Sequence, residues 1–227
     1  MTKQTNETQG NRIKSLGHFS GGEVVLSTAS INFNGSFLWA LKGLKKNGYK
    51  VISAEELVKA RVEGIDGIGG IVSGMGLYFP KEKKIFVTKD YSFECYAIKN
   101  GWSSGNKVLS ANLEDLRLFK ENALEVNLER YQRGIPNSNN FPIIPISNFG
   151  KDPLSKYLFG NSLKEYEEFL INKGVKKLTL DTYDVVHKSY MGDNPFICPI
   201  GMCHGEKPGI RFSEDPGDWV LGIKKIL

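Results

Sequence analysis

A chain of 227 residues, 40% hydrophobic and 11% aromatic, is long enough for a full-sized core and too apolar to remain disordered. It has no run of about 18 apolar residues, which argues against a membrane-spanning helix. Its three cysteines, Cys95, Cys198 and Cys203, are too few for a disulfide scaffold. The net charge of +5 lies wholly within residues 1–150, densest at Lys42, Lys45, Lys46 and Lys50 and again at Lys81, Lys83 and Lys84. A surplus of that size is compatible with an acidic partner, a nucleotide or nucleic acid, and equally with an ordinary lysine-rich surface.

Residues 1–12 are polar, lack the apolar stretch of a secretory signal and read as a flexible tail, with cytoplasm as the default compartment and reduced cysteines. The run Val24-Val25-Leu26 within residues 23–31 reads as a buried strand. The loop INFNGS follows, and Ser36 is placed to cap a helix over 37–47 with Phe37, Leu38, Leu41 and Leu44 on one face and Lys42, Lys45 and Lys46 in water. Asn47-Gly48 ends that helix, KVIS forms a short strand, and Ser53 with Glu56 makes a capping box for the next helix, which carries Leu57, Val58 and Val62 and stops at Gly64.

Residues 64–76 hold six glycines in 13 positions and read as a loop, since each glycine costs a helix about 1 kcal/mol relative to alanine. LYFP and KIFVT, around KEKK, read as a hairpin. A short helix is expected over 92–100 and the longest helix over 113–132, capped by Asn112 with Leu113, Leu116, Leu124 and Leu128 as its stripe. The proline-rich stretch 135–150 reads as a connection. Ser162 and Glu165 suggest a second capping box for a helix over 163–173, VKKLTLDTYDVV reads as a strand, 192–218 as loop, and DWVLGIKKI as a last strand.

The alternation of strands and helices over 23–60 predicts an α/β or mixed α+β domain of layered helices and strands, with a small antiparallel hairpin and a loop-rich C-terminal part. The expected organisation is a main region 13–134, the connection 135–150 and a C-terminal part 151–227 packed on the first as one unit.

Three places can carry chemistry. A glycine and serine between a strand and a helix N-terminus is where phosphates bind in open α/β sheets, so Asn32, Asn34, Gly35 and Ser36 are candidate ligand-binding residues, although no P-loop pattern is present. The glycine-rich segment lacks the dinucleotide fingerprint, with Val72 where the third glycine belongs. Asp181, Asp184 and His187, around the end of a strand, are candidate acid–base groups; Asp181 and His187 lie about 20 Å apart if the strand continues. Cys198, Cys203 and His204 offer three zinc-type ligands where a closed site needs four, so no metal is expected. Which cofactor, if any, such chemistry would use is left open by the sequence. These features favour an enzyme acting on a phosphate-bearing or nucleotide ligand, with a nucleic-acid-binding protein or an assembly protein without a small ligand as the alternatives, and no membrane partner.

Overall fold

The computed structural model describes residues 12–28, 36–66, 69–79, 81–89, 109–110, 117, 121, 123–133, 142–181, 195–203, 208–212 and 219–225. The chain opens with a hairpin, β1 (Arg12–Phe19) and β2 (Gly22–Thr28), paired antiparallel from Arg12 opposite Thr28 to Phe19 opposite Gly22. Helix α1 (Ser36–Lys46) follows, then β3 (Lys50–Val51) and α2 (Ala54–Val62). The capping box at Ser53 is present: its hydroxyl accepts from the Glu56 amide at 3.1 Å, and the Glu56 carboxylate accepts from the Ser53 amide at 3.0 Å. Phe37, Leu41 and Leu44 are buried, as their spacing predicts.

The glycine-rich segment departs from expectation. Gly70–Phe79 is β4, ten residues long, in the middle of the sheet. It pairs antiparallel with β5 (Lys84–Thr88), the expected hairpin, and on its other edge with β11 (Phe196–Met202). The registry slips between Pro199 and Ile200: Met75 faces Pro199, Val72 faces Ile200, and Ser73 and Gly74 bulge out. Proline cannot donate to a ladder, so a central strand tolerates it only at such an irregularity. Ser73 donates instead to the Ile52 carbonyl at 2.8 Å. Gly74 has φ of +101°, and a Cβ there would meet the Thr88 carbonyl oxygen at 2.7 Å. Glycine is demanded by conformation and by space alike.

The expected helix over 113–132 is also corrected. Arg117 and Glu121 are helical, but Leu124–Asn127 is strand β7, hydrogen-bonded to β5, followed by a 3-10 turn (Leu128–Arg130) and β8 (Gln132–Arg133). Pairing with β5 buries Val126, which a helical reading leaves off its stripe. The expected connection carries β9 (Pro142–Pro145) and α3 (Ile146–Phe149). Helix α4 (Pro153–Phe159) is capped by Asp152, whose carboxylate accepts from the Ser155 amide at 2.8 Å and from the Tyr131 hydroxyl at 3.0 Å. Helix α5 (Leu163–Asn172) begins without the predicted capping box, because a 3-10 turn (Gly160–Ser162) runs into it and holds Ser162 in helical backbone. β10 (Lys177–Asp181) follows; β6 (Leu109–Ser110), β12 (Gly209–Phe212) and β13 (Trp219–Lys224) complete the strands. The stretch read as C-terminal loop thus supplies two strands, β11 and β12. The expected helix over 92–100 lies outside the described residues.

Thirteen strands among the described residues form one mixed sheet, ordered β1-β2-β13-β4-β11-β12-β10-β9-β8, with β3 on β13, β6 on β11, β5 on β4 and β7 on β5. The expected layered α/β architecture is therefore not what forms. After β2 and α1 the chain does not return to a parallel neighbour of β2, since β3 pairs antiparallel with β13. Parallel pairing occurs only for β13 with β4 and β10 with β12 among the described strands.

Alternate residues of the sheet point to two cores. Toward one face, Val25, Ile71, Met75, Leu77, Phe86, Ile197 and Val220 pack with α1. Toward the other, Val24, Val72, Tyr78, Cys198, Ile200, Ile210, Phe212 and Leu221 pack with α2, α4 and α5. No described helix is long and apolar enough to cross a membrane. Leu41→Ala, in a fully packed site beneath α1, is expected to cost about 2–5 kcal/mol, and Gly74→Ala about 1–3 kcal/mol from backbone strain. Urea denaturation of each variant measures both.

Candidate functional site

On the α1 side, the sheet changes character towards β11, β12 and β10. Ile197 still packs in the α1 core, but beyond it β11 presents Pro199 and Gly201. β12 presents Gly209 and Arg211, and β10 presents Thr179 and Asp181, because their partners in alternation, Ile210, Phe212, Leu178 and Leu180, are buried on the opposite side. The spacing confirms the shared face. A Cβ on Gly201 would touch the Arg211 side chain at 3.4 Å, and one on Gly209 would collide with the Thr179 hydroxyl. α1 packs against β1, β2, β3 and β13, at the other end.

Arg211 and Asp181 are directly opposite in the parallel β10–β12 pair, and Arg211 Nε donates to Asp181 Oδ2 at 3.0 Å. The arginine is 49% exposed and the aspartate 16%. The face thus presents a threonine, the partly exposed Gly201 and one charge pair, with Pro199 and Gly209 buried among them.

Behind it stands a buried arginine. Arg61, near the end of α2, is 2% exposed. Its Nη1 donates to the Tyr166 hydroxyl of α5 at 3.1 Å and its Nη2 to the Cys203 carbonyl at 2.8 Å. Cys203 closes β11 onto β12, its amide donating to the Gly209 carbonyl at 2.9 Å. One guanidinium therefore ties α2, α5 and the β11–β12 junction together. Burial pushes the Cys203 thiol up; Asp181 adds to the effect, while Arg211 and Arg61 oppose it. Burial likewise raises the Tyr166 hydroxyl, against the pull of Arg61.

Of the candidate acid–base residues, Asp181 stands at the end of β10 in this pair, whereas Asp184 and His187 lie outside the described residues. Ser36 is the first residue of α1; Asn32, Asn34 and Gly35 also lie outside. Cys198 is fully buried and Cys203 partly so, neither of them in a disulfide, and His204 lies outside the described residues. No group of three His, Cys, Asp or Glu among the described residues could hold a metal ion. Arg211 and Arg61 were not singled out from sequence. The signal for Arg211 was the alternation in Gly209-Ile210-Arg211-Phe212, hidden within a proline- and glycine-rich stretch. Arg61 reads as an ordinary helix-end cation.

The sequence matches no protein-family model and no curated protein. In three dimensions the chain is similar to a solved structure described as "Accommodation of massive sequence variation in Nanoarchaeota by the C-type lectin fold". The TM-score is 0.57 over 95% of this chain and 97% of the other, at 11% identity. The likeness shows the fold, a C-type lectin fold, and no more. It overturns the expectation of an α/β enzyme for phosphate-bearing or nucleotide ligands. The crevice that such enzymes use lies at the carboxyl ends of parallel strands, and here β2, which leads towards α1, lies between antiparallel neighbours. The nucleic-acid-binding and assembly alternatives find no support in this fold likeness either.

Replacing Arg61 by alanine removes the donors to Tyr166 and to the Cys203 carbonyl. The expected loss is about 1–3 kcal/mol for each buried group left unpaired, measured by urea denaturation. The raised thiol of Cys203 gives a second test. Its contribution to stability is fully present below the ordinary thiol range and is lost as pH rises through that range, because the unfolded chain ionises first. Alkylation of native Cys203 should accordingly lag behind that of an unfolded control at mildly alkaline pH, as read by mass spectrometry.

Proposed function

We propose that this chain is a recognition module that binds a neutral carbohydrate on the face formed by β10, β12 and the end of β11. The observation that carries the reading is the Asp181–Arg211 pair at 3.0 Å on a polar part of the sheet, at the end away from α1. A paired carboxylate and guanidinium offer acceptors and donors side by side with no net charge. That combination suits vicinal hydroxyls and gives an anion no advantage. Thr179 adds a hydroxyl, held against the buried Gly209, and Gly201 leaves room for the Arg211 side chain to lie beside it.

The fold likeness supports the reading in one respect. The related structure is described as accommodating massive sequence variation on this fold. A scaffold of that kind keeps its sheet and changes its surface, which is what a binding module requires. Within this reading Cys198 and Cys203 stay out of disulfides, in keeping with a reducing compartment such as the cytoplasm.

A glycan array on the full chain, followed by calorimetry on the best neutral saccharide, tests the proposal. Arg211→Ala and Asp181→Ala should each weaken that saccharide by about tenfold or more, the worth of a hydrogen bond to a charged group. Arg211 is half exposed, so its variant should stay folded; Asp181 is largely buried, so Asp181→Asn, which keeps its shape, accompanies the alanine variant and the melting temperature of each is recorded. Saccharide binding that survives both substitutions, or an array without any neutral hit, overturns it.

A further inference from the structure

The first three strands in the order of the sheet, β1, β2 and β13, line up an aromatic ring with two cations. Arg12 of β1 and Trp219 of β13 both stand directly opposite Thr28 of β2, so the three residues share one face in a single row. Ser27 and Val25 point the other way, to α1, and the Ser27 hydroxyl donates to the Ala40 carbonyl at 2.8 Å. The row therefore lies on the α2 side, with Val24 and Leu221. Lys14, opposite Leu26 in the next row, shares that side. Val220, Leu221 and Ile223 already bury β13, and folding does not require an indole at its exposed first residue. Trp219 is 52% exposed, and it has no hydrogen-bonding, aromatic or cationic partner among the described residues. Arg12 and Lys14 are exposed as well, and neither forms a salt bridge with a described residue. Glu23, the acidic residue of β2, points to the α1 side, where it accepts from the Tyr49 hydroxyl at 2.8 Å.

We propose that this row binds an acidic sugar, a pyranose that carries a carboxylate. The site lies on the opposite side of the sheet from the β10–β12 face and does not rest on it. Neighbouring strands are about 4.8 Å apart, so Trp219 and Arg12 stand roughly 10 Å from each other with the short Thr28 between them. A ring laid on the indole covers Thr28 and turns a substituent towards Arg12. Each group then has a use. The indole supplies a flat apolar face and an N–H donor, and Thr28 a hydroxyl. Arg12 supplies a fork that takes a carboxylate on two bonds, and Lys14 a second positive charge. The cations select an anion, and the indole selects an anion with a ring. Inorganic phosphate would leave the indole unused. A bilayer takes up a broad apolar face, and here one ring stands beside a hydroxyl and two cations. A stable protein partner needs about 800 Å² on each side, more than one such row supplies.

The test titrates the full-length chain with trigalacturonate, and with maltotriose as the uncharged control. The indole N–H resonance of Trp219, assigned by its loss in Trp219→Phe, should shift with trigalacturonate and stay in place with maltotriose. By calorimetry, Trp219→Ala and the double variant R12E/K14E should each bind trigalacturonate roughly tenfold more weakly or worse. Their melting temperatures should be unchanged, because all three side chains are exposed. R12K/K14R, which keeps both charges, should retain binding, and so should Arg211→Ala. An indole resonance that does not move at millimolar trigalacturonate overturns the proposal. So does binding that survives both Trp219→Ala and R12E/K14E, equal binding of maltotriose, or loss of binding in Arg211→Ala. Tighter binding of inorganic phosphate, AMP or phosphatidylglycerol vesicles than of trigalacturonate overturns it too.

Discussion

A proline in the middle of a sheet removes a hydrogen-bond donor, and the centre of this protein is arranged around that loss at Pro199. β4 absorbs it with a bulge at Ser73 and Gly74, and the displaced Ser73 amide reaches the Ile52 carbonyl just before α2. The bulge takes two residues, so the pleat keeps its phase: Ile71 and Met75, four apart, both face α1, while Val72 and Tyr78 face α2. A bulge of one residue would carry Met75 and Leu77 to the wrong side. The irregularity lies where β11 joins the strands of the first half of the chain to those of the second.

The legible parts of the sequence were those where local chemistry and tertiary need agree. α1 shows its apolar spacing, α2 its capping box, and β13 its run of Val220, Leu221 and Ile223. β4 was illegible because its glycines are there for reasons that no local rule records. Gly74 makes the bulge, and Gly76 lies so close to Cys198 that a Cβ would sit 3.1 Å from the sulfur. β11 was illegible for the matching reason: Pro199 and Gly201 argue against a strand in isolation, and the bulged partner that reconciles them lies more than 120 residues earlier. β7 failed differently. Leu124 and Leu128 continue a helical stripe begun at Leu113, and only the pairing with β5 decides for strand.

The candidate site was legible in part. Asp181 stood out as a carboxylate at a strand end, but its role changes once its neighbour is known. Beside Arg211 it is one half of an ion pair across the parallel β10–β12 ladder, and not a lone acid–base group. Arg211 could not be paired with it from sequence, since parallel β10 and β12 are separated by all of β11. Arg61 was hidden because a helix-end arginine ordinarily faces water, while this one turns inward to Tyr166 and the Cys203 carbonyl.

The physics of the β10–β12 face also limits what can lie on it. Covering an ion pair with apolar surface strips water from both charges at a penalty of several kcal/mol per ion, and one salt bridge does not reliably offset that. Thr179 would need a partner under the same cover. Gly201 and Gly209, meanwhile, offer no side chains for a packed interface to grip. The half of the sheet beneath α1 has the opposite composition, with Val25, Ile71, Met75 and Val220 able to bury a helix without leaving a polar group exposed to it. Two halves of one face thus differ in what they admit. One accepts an apolar helix of the same chain, and the other accepts only an occupant that brings its own hydrogen bonds. In the proposed role a polyhydroxylated ring meets that condition, because it brings an alternating supply of donors and acceptors to Thr179, Asp181 and Arg211.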